Sequence, residues 1–317
     1  MKALVLASDQ LGLPSERTAR AITAALQLGR TDLLAAGHNS REKALAAHYF
    51  AGVETIWRLV PKPTFHVSIE SIALHIARLA PQYRWIIAAQ DRFTLDIMAR
   101  VGGLLGLAPL TQVHAILPND QVSRMIHVGQ ALAKVQLKQF PALLSIRPTA
   151  FPPAAITANP TPIVDMEYNE TTLPTSDHLG YHSLTHQRPD LADAKIVVAG
   201  GLGLEAAGSF QVVEELADHL GAAVGATRGA VDAGLAASEL QIGQTGRIIA
   251  PKLYVGIGLS GAIQHVAGIK DSEMIAAINH DPAAPIHAIA DVSLVADLFD
   301  AAPRLGHLIA TRSKGIC

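Results

Sequence analysis

Cysteine is almost missing from this chain of 317 residues: the one copy, Cys317, is the final residue. An intrachain disulfide framework is thereby excluded, and so is a metal or iron–sulfur centre built from several thiolates. Such thiol usage fits a reducing, intracellular setting. No uncharged apolar run reaches the ~20 residues of a membrane-spanning helix. The opening stretch MKALVLAS reads as a short strand, too brief for a signal-peptide core and without a small-residue cleavage site. The expectation is a soluble, cytoplasmic bacterial protein. Basic excess is lacking as well: 25 Lys and Arg stand against 27 Asp and Glu. A nucleic acid or other polyanion is therefore not expected as a partner. Catalytic patterns are also scarce. There is no Ser/His/Asp set and no carboxylate pair at useful spacing, so acid–base or nucleophilic catalysis finds no support.

Apolar residues, by contrast, make up 50% of the chain. At this length two domains are the default, because single cores stop growing near this size. The first half alternates strand and helix. KALVLA (Lys2–Ala7), TDLLAAG (Thr31–Gly37), VETIWRLV (Val53–Val60) and RWIIAAQ (Arg84–Gln90) are nearly continuous apolar runs, the pattern of parallel strands buried on both faces. Between them, Glu16–Leu28 and Val67–Leu79 carry apolar residues at helical spacing. From Leu110 the pattern becomes strand after strand (LTQVHAIL, SRMIHVGQALAKVQL, ALLSIRP), an antiparallel addition to the first sheet.

Prolines 148, 152, 153, 160, 162, 174 and 189 then mark a linker-like region. The domain boundary is expected in RPDLADA (Arg188–Ala194), dividing the chain into 1–187 and 188–317. KIVVAGG (Lys195–Gly201) opens a second α/β unit, followed by a helix over Ser209–Leu220. Strands are expected at AAVGAT (Ala222–Thr227), PKLYVGIG (Pro251–Gly258), MIAAIN (Met274–Asn279) and IHAIA (Ile286–Ala290). The fold class is therefore α/β in both domains, each a mostly parallel sheet flanked by helices, the second doubly wound and flavodoxin- or Rossmann-like. In such sheets ligands bind beyond the carboxyl ends of the strands. Gly200–Gly203, Thr227–Arg228, Gly258–His265 and Asn279–Pro282 should converge on one crevice.

Within that crevice GLGLEA (Gly201, Gly203, Ala206) matches a dinucleotide-binding turn, which would make the protein an NAD(P)-dependent oxidoreductase. The following strand, however, ends Ala226-Thr227-Arg228, with no acid for the adenosine ribose. A tight turn packed against the sheet accounts for the glycines equally well. Arg228, flanked by Gly225, Gly229 and Ala230, is either a surface arginine or one free to stack or bind phosphate. QIGQTG (Gln241–Gly246) offers amides and a hydroxyl. GLSGAIQH (Gly258–His265) is the stronger signal: glycines let the backbone approach a ligand, bare N–H groups attract a diphosphate, and Gln264 and His265 suit a planar ligand with hydrogen-bonding edges. Read from these residues alone, this is a nucleotide site. HLGYHSLTH spaces His178, His182 and His186 four apart, as a zinc-binding helix face would, but the segment is linker-like and no carboxylate supports it.

These residues resemble the α subunit of electron transfer flavoproteins. The likeness runs nearly unbroken from Arg188 to Phe299 and centres on the stretch from PKLY through GLSGAIQHVAGIKDS to the Ile-Asn pair ending at Asn279. The N-terminal half is similar more loosely, in strand order and in SIRPTAF (Ser145–Phe151). The resemblance implies one FAD per heterodimer, held by the second domain. By position, Arg228 would lie against the isoalloxazine, Thr245 beside Gln244 near N5, and His265 at the pyrimidine edge near O2. Ser260, Gly261, Ala262, Ile263 and Gln264 would wrap the ribityl and diphosphate. Asn279, Asp297 and Leu298 would define the adenosine end, with Thr227 and the backbone of Ile242 and Gly243 completing the set. A reduced flavin carries negative charge around N1 and O2, so a cation and a donor fixed there would raise its potential.

The resemblance also implies a β-subunit partner carrying AMP, donors among flavin dehydrogenases such as acyl-CoA dehydrogenases, and a membrane quinone oxidoreductase as acceptor. The family's turn is written GGRG, whereas here Leu202 replaces the arginine. One charge-assisted contact to the diphosphate, typically worth about 1.5–3 kcal/mol, is thereby removed. A nucleotide-binding module that has lost its flavin is the reading this substitution keeps open. Ile269 in place of the family's Met is a swap of similar volume.

Overall fold

The computed structural model describes residues 1–7, 16–37, 39–60, 68–167, 188–191, 194–207 and 210–313. The chain divides into two compact units, Met1–Tyr181 and His182–Cys317. His178, His182 and His186 lie outside the described residues.

The first unit is built on β1 (Lys2–Leu6), α1 (Glu16–Leu26), β2 (Arg30–Ala35), α2 (Ser40–Ala47), β3 (Val53–Val60), α3 (Ile69–Leu79), β4 (Trp85–Ala89) and α4 (Arg92–Leu105). It continues through β5 (Leu110–Leu117), β6 (Gln121–Ile126), β7 (Ala131–Gln136), β8 (Ala142–Ile146) and β9 (Ile163–Glu167). The nine strands form one mixed sheet, ordered β7-β6-β5-β8-β4-β1-β2-β3-β9. The continuous apolar runs are its central parallel strands: Ala3, Leu4, Val5, Ile86 and Ile87 are all fully buried. Separate apolar layers cover its two faces. Helix starts follow local chemistry. The Ser68 hydroxyl accepts from the Ser71 N–H before α3, and Asp91 and Thr94 cap α4 reciprocally.

Two expectations for this unit are corrected. SRMIHVGQALAKVQL is not one strand but the antiparallel pair β6 and β7. His127, Val128 and Gly129 all have positive φ (50°, 59° and 79°), the backbone of a tight hairpin turn. The proline-rich stretch is not linker throughout: β9 lies at the sheet edge, parallel to β3, with Asp165 paired to Arg58. Prolines are tolerated next to an edge strand because one side of its ladder is unpaired.

In the second unit β10 (Ile196–Gly200), α5 (Gln211–Leu220), β11 (Ala223–Ala226), α6 (Arg228–Asp232), β12 (Leu253–Ile257), α7 (Ile263–Ile269), β13 (Ile275–Asn279), α8 (Ile286–Ile289), β14 (Val292–Val295) and α9 (Leu298–Ser313) follow in order. Every strand pairing is parallel, and the order is β11-β10-β12-β13-β14. This is the doubly wound 2-1-3-4-5 arrangement, with its topological switch point between β10 and β12. One face is covered around Val213, Leu216, Leu298 and Ala302 of α5 and α9, the other around Ile242, Leu259, Ile269 and Ile286. IHAIA is corrected from strand to the helix α8, and the last strand is VSLV instead. Pro285 sets a helical φ ahead of Ile286, whose N–H is anchored on the Ser260 carbonyl at 3.0 Å.

Candidate functional site

The carboxyl ends of β10 to β13 meet at the switch point, and main-chain hydrogen bonds join their loops. Gly201 N–H donates to the Ile257 carbonyl (2.9 Å), Gly203 to Gly258 (2.9 Å), Thr227 to Gly200 (3.0 Å) and Gly258 to Ile278 (2.9 Å). The loops that were expected to converge therefore do so. The glycines make this contact possible. A Cβ on Gly201 would stand 2.3 Å from the Gly258 carbonyl oxygen, and one on Gly203 would stand 2.8 Å from it. Loop-on-loop packing thus accounts for both glycines of GLGLEA. Leu202–Ala207 is a 3-10 segment rather than the start of an α-helix, so the helix N-terminus that a dinucleotide turn requires is absent there.

A second group of contacts fastens the Gln241–Arg247 turn to α7. Gln244 N–H donates to the Gln264 carbonyl (2.8 Å), and Gly243 N–H reaches the Arg247 carbonyl (3.1 Å). The Gln241 amide donates to the Thr245 hydroxyl at 2.8 Å. Gly268 lets the turn approach, since a Cβ there would meet the Gly243 nitrogen at 2.6 Å. Ile242 and Gly243 are buried beneath it, while Gln244 and Thr245 project outward and are exposed. Ser260, Ala262, Ile263 and Gln264 are likewise exposed, whereas Gly261 is buried against Ile286. Gly258 and Gly261 have positive φ (61° and 82°), which bends the loop back over the sheet end. Among the described residues, neither the Ser260 nor the Gly261 N–H is taken up by a backbone acceptor.

Arg228 opens α6 and is exposed; among the described residues its ion pair is with Asp232 one helical turn on (3.2 Å), itself exposed. Such a pair is worth less than about 1 kcal/mol and holds the guanidinium only loosely. Thr227 caps the same helix, accepting from the Ala230 N–H. Leu202 is 49% exposed and stands beside this turn, 3.7 Å from where a Cβ on Gly229 would be.

Other expected site residues have structural duties. Asn279 is buried, with both amide atoms spent on the main chain: Nδ2 donates to the Leu259 carbonyl (2.9 Å) and Oδ1 accepts from the Asp281 N–H (3.0 Å). Asp297 starts α9 by accepting from the Phe299 N–H at 2.7 Å. Leu298 is buried behind Gly258. His265 is 5% exposed, and both ring nitrogens have protein partners. Nδ1 lies 3.1 Å from the Ile242 carbonyl, and Nε2 lies 2.7 Å from the Tyr254 hydroxyl. Burial is the main reason its pKa falls to about 4, with the Ile242 hydrogen bond opposing. Tyr254 lies inside the apolar strand run PKLYVGIG, and a tyrosine in a fully buried strand needs a partner for its hydroxyl. That requirement was the available signal.

A doubly wound parallel domain with exposed amides, hydroxyls and a guanidinium gathered at its switch point is a nucleotide-binding domain. Comparison with known families makes this specific. Residues 190–270 match the electron transfer flavoprotein FAD-binding domain, and residues 3–171 match the electron transfer flavoprotein domain. The chain is 38% identical to the mitochondrial electron transfer flavoprotein subunit alpha of Arabidopsis thaliana, across 95% of this chain and 88% of that one. With the α subunit of Pseudomonas aeruginosa the identity is 37%, covering 96% and 99% of the two chains. With that of Paracoccus denitrificans it is 40%, covering 92% and 94%. The chain belongs to the electron transfer flavoprotein α-subunit family.

FAD is accordingly the cofactor, and membership of an α-subunit family implies a heterodimer with a β subunit. The residues present fit that cofactor. Ser260 and Gly261 carry N–H groups that, among the described residues, no backbone acceptor takes up, Ser260 adds an exposed hydroxyl, and the exposed Gln244, Thr245 and Gln264 carry donors and acceptors suited to a planar ring. Among the described residues no helix is long and apolar enough to cross a membrane, and no cluster of histidine, cysteine or carboxylate side chains could hold a metal.

Proposed function

We propose that the loops capping β10 to β13 hold FAD for electron shuttling between other flavoproteins and a quinone-reducing membrane enzyme. In this reading Arg228 meets the isoalloxazine, Gln244 and Thr245 its N5 side, and His265 its pyrimidine edge. Ser260, Gly261, Ala262, Ile263 and Gln264 meet the ribityl and diphosphate, and Asn279, Asp297 and Leu298 shape the adenosine end. Thr227, Ile242 and Gly243 form the floor beneath. Bound FAD supplies the redox chemistry, and the chain's residues bind it, orient it and set the polarity around it. Acyl-CoA dehydrogenases are the donors that fit this role, a membrane quinone oxidoreductase is the acceptor, and the β subunit carries AMP.

The observation that carries the proposal is the interlocked set of loops at the switch point, on which the side chains of Arg228, Gln244, Thr245, Ser260 and Gln264 are exposed while His265 and Asn279 are buried. In this reading the site tunes a bound ring. The test is to purify the chain with its β subunit, record the flavin spectrum, and follow bleaching by an acyl-CoA with its dehydrogenase and recovery with a quinone reductase. Bleaching and recovery are expected. A yellow complex that no acyl-CoA dehydrogenase reduces would overturn the donor assignment. A colourless complex that binds NADP would instead favour a nicotinamide-dependent enzyme using GLGLEA.

A further inference from the structure

The segment through which the chain enters the second unit, Arg188–Leu191, is fastened along its length. Arg188 forks onto Asp218 near the end of α5, with Nε 2.6 Å from Oδ1 and Nη2 2.9 Å from Oδ2. Leu191 is buried in the same apolar cluster as Ile242. Both side chains crowd Gly225, where a Cβ would stand 2.3 Å from Ile242 Cδ1 and 3.4 Å from Leu191 Cδ1. Between these anchors, Asp190 Oδ1 accepts from Arg247 Nη1 at 2.6 Å. Arg247 closes the Gln241–Arg247 turn, and its main chain is committed there: its N–H donates to the Gln241 carbonyl (2.8 Å) and its carbonyl accepts from the Gly243 N–H (3.1 Å). The guanidinium is therefore a bridge from the turn to the entering segment. At the tip of the turn Gln244 and Thr245 are exposed and Gly246 has no side chain. Apolar burial cannot place that tip, so the polar ties at its base must do so.

We propose that Arg247 is a positioning residue of the FAD site: paired with Asp190, it fixes the turn presenting Gln244 and Thr245 to the segment entering the second unit, so that a shift of that segment reaches the bound ring. This deepens the reading above and depends on it for its functional meaning. The side chains of the pair are 35% and 43% exposed, so the pair is a weak contributor to global stability. Its effect is on position. Leu191 and Ile242 already hold the two backbones side by side, and little further ordering is needed for the ions to meet. Breaking the pair leaves that packing in place and loosens the tip. The opposite side of the turn rests on α7 through the Gln244 N–H and the Gln264 carbonyl (2.8 Å), so the tip is braced from both sides only while Arg247 is paired.

The test is amide hydrogen exchange of the α chain in the heterodimer, with and without FAD, alongside the FAD affinity of the deflavinated complex. In Arg247→Gln and in Asp190→Asn the Gly243 and Gln244 amides should exchange several-fold faster, while those of β12 keep their wild-type rates. FAD should bind up to about fivefold more weakly in each, the ceiling for a half-exposed pair. Both changes remove one interaction, so the double variant should be no worse than either single one. Arg247→Lys, which keeps the charge, should retain most of the protection and the affinity. Wild-type exchange at Gly243 and Gln244 in the single variants would overturn the proposal, as would additive losses in the double variant. Faster exchange with unchanged FAD affinity would overturn it too, because the turn would then be held for the fold and not for the ring. Exchange in the flavin-free complex separates this outcome from that of the site assignment: a wild-type heterodimer that never takes up FAD refutes the assignment, and its exchange rates still decide whether the pair holds the turn.

Discussion

Asn279, at the end of β13, holds the loop that follows β12: its Nδ2 donates to the Leu259 carbonyl at 2.9 Å while its Oδ1 accepts from the Asp281 N–H at 3.0 Å. One side chain thus ties two loops of the crevice to each other. Asn279→Ala leaves the Leu259 carbonyl without this partner in a buried setting, while Asp281 is exposed and its N–H can turn to water. A loss of about 1–3 kcal/mol of stability is expected, together with weaker FAD binding. Denaturant unfolding and FAD titration check this. Lost FAD binding with unchanged stability would mean that the amide serves the cofactor directly and is not a brace.

Gly201 and Gly229 separate packing from flexibility. Gly201→Ala drives a methyl into the Gly258 carbonyl, a contact of 2.3 Å. A loss of about 1–3 kcal/mol is expected, with the flavin released more readily. Gly229→Ala meets nothing nearer than 3.7 Å and lies in a helix, so stability should hold or rise by up to about 1 kcal/mol. The melting temperatures of the two variants in complex decide the matter, and equal losses would contradict the packing argument.

Arg228 contributes little to the fold, because its partner Asp232 is as exposed as it is. Arg228→Ala should change stability by no more than about 0.5 kcal/mol. It should lower the midpoint potential of the bound flavin, since the reduced ring loses its neighbouring cation. Spectroelectrochemical titration measures this, and an unchanged potential with FAD bound would remove Arg228 from the ring.

His265 links the site to acid stability. Its folded pKa, about 4, lies below the ordinary value of 6.5, so the unfolded chain binds the proton more readily. The stability this group contributes is present above pH 6.5 and is lost as pH falls toward 4. On the order of 2 kcal/mol should disappear between pH 7 and pH 5. Urea unfolding at the two pH values should show that loss in wild type, and a correspondingly smaller one in His265→Gln. Equal pH dependence in both proteins would show that the ring is not held neutral.

Much of this architecture was legible in the residues because the relevant physics is local. Continuous apolar runs such as KIVVAGG and MIAAIN are strands buried on both faces, and the glycines and polar residues that follow them mark the ligand edge. Where tertiary context decided, the reading failed. IHAIA has the composition of a strand, yet Pro285 and the anchoring of Ile286 on Ser260 turn it into a helix, leaving VSLV to complete the sheet. The break at His127–Gly129 depends on positive φ at two residues other than glycine, for which the sequence carries no strong signal. Arg228, Gln244, Thr245 and Gln264 were singled out from glycine-flanked settings and family likeness, and the structure leaves all four exposed on the loops. The tie between Tyr254 and His265 was not, because among the described residues the partner of the Tyr254 hydroxyl comes from α7 and is brought to it by the fold. The same holds for Asn279, whose role as a loop tie requires the Leu259 carbonyl to be delivered from another strand end.

The measurement that bears most directly on the crevice as flavin site is the FAD affinity of the deflavinated heterodimer with a carboxylate introduced at the diphosphate end. Ser260 is exposed and borders the free N–H groups, so Ser260→Asp sets a negative charge against the phosphates without disturbing a buried contact. Binding at least tenfold weaker than wild type, restored toward normal by Ser260→Asn, is the expected result. Equal affinity in Ser260→Asp and wild type would contradict a diphosphate at this loop.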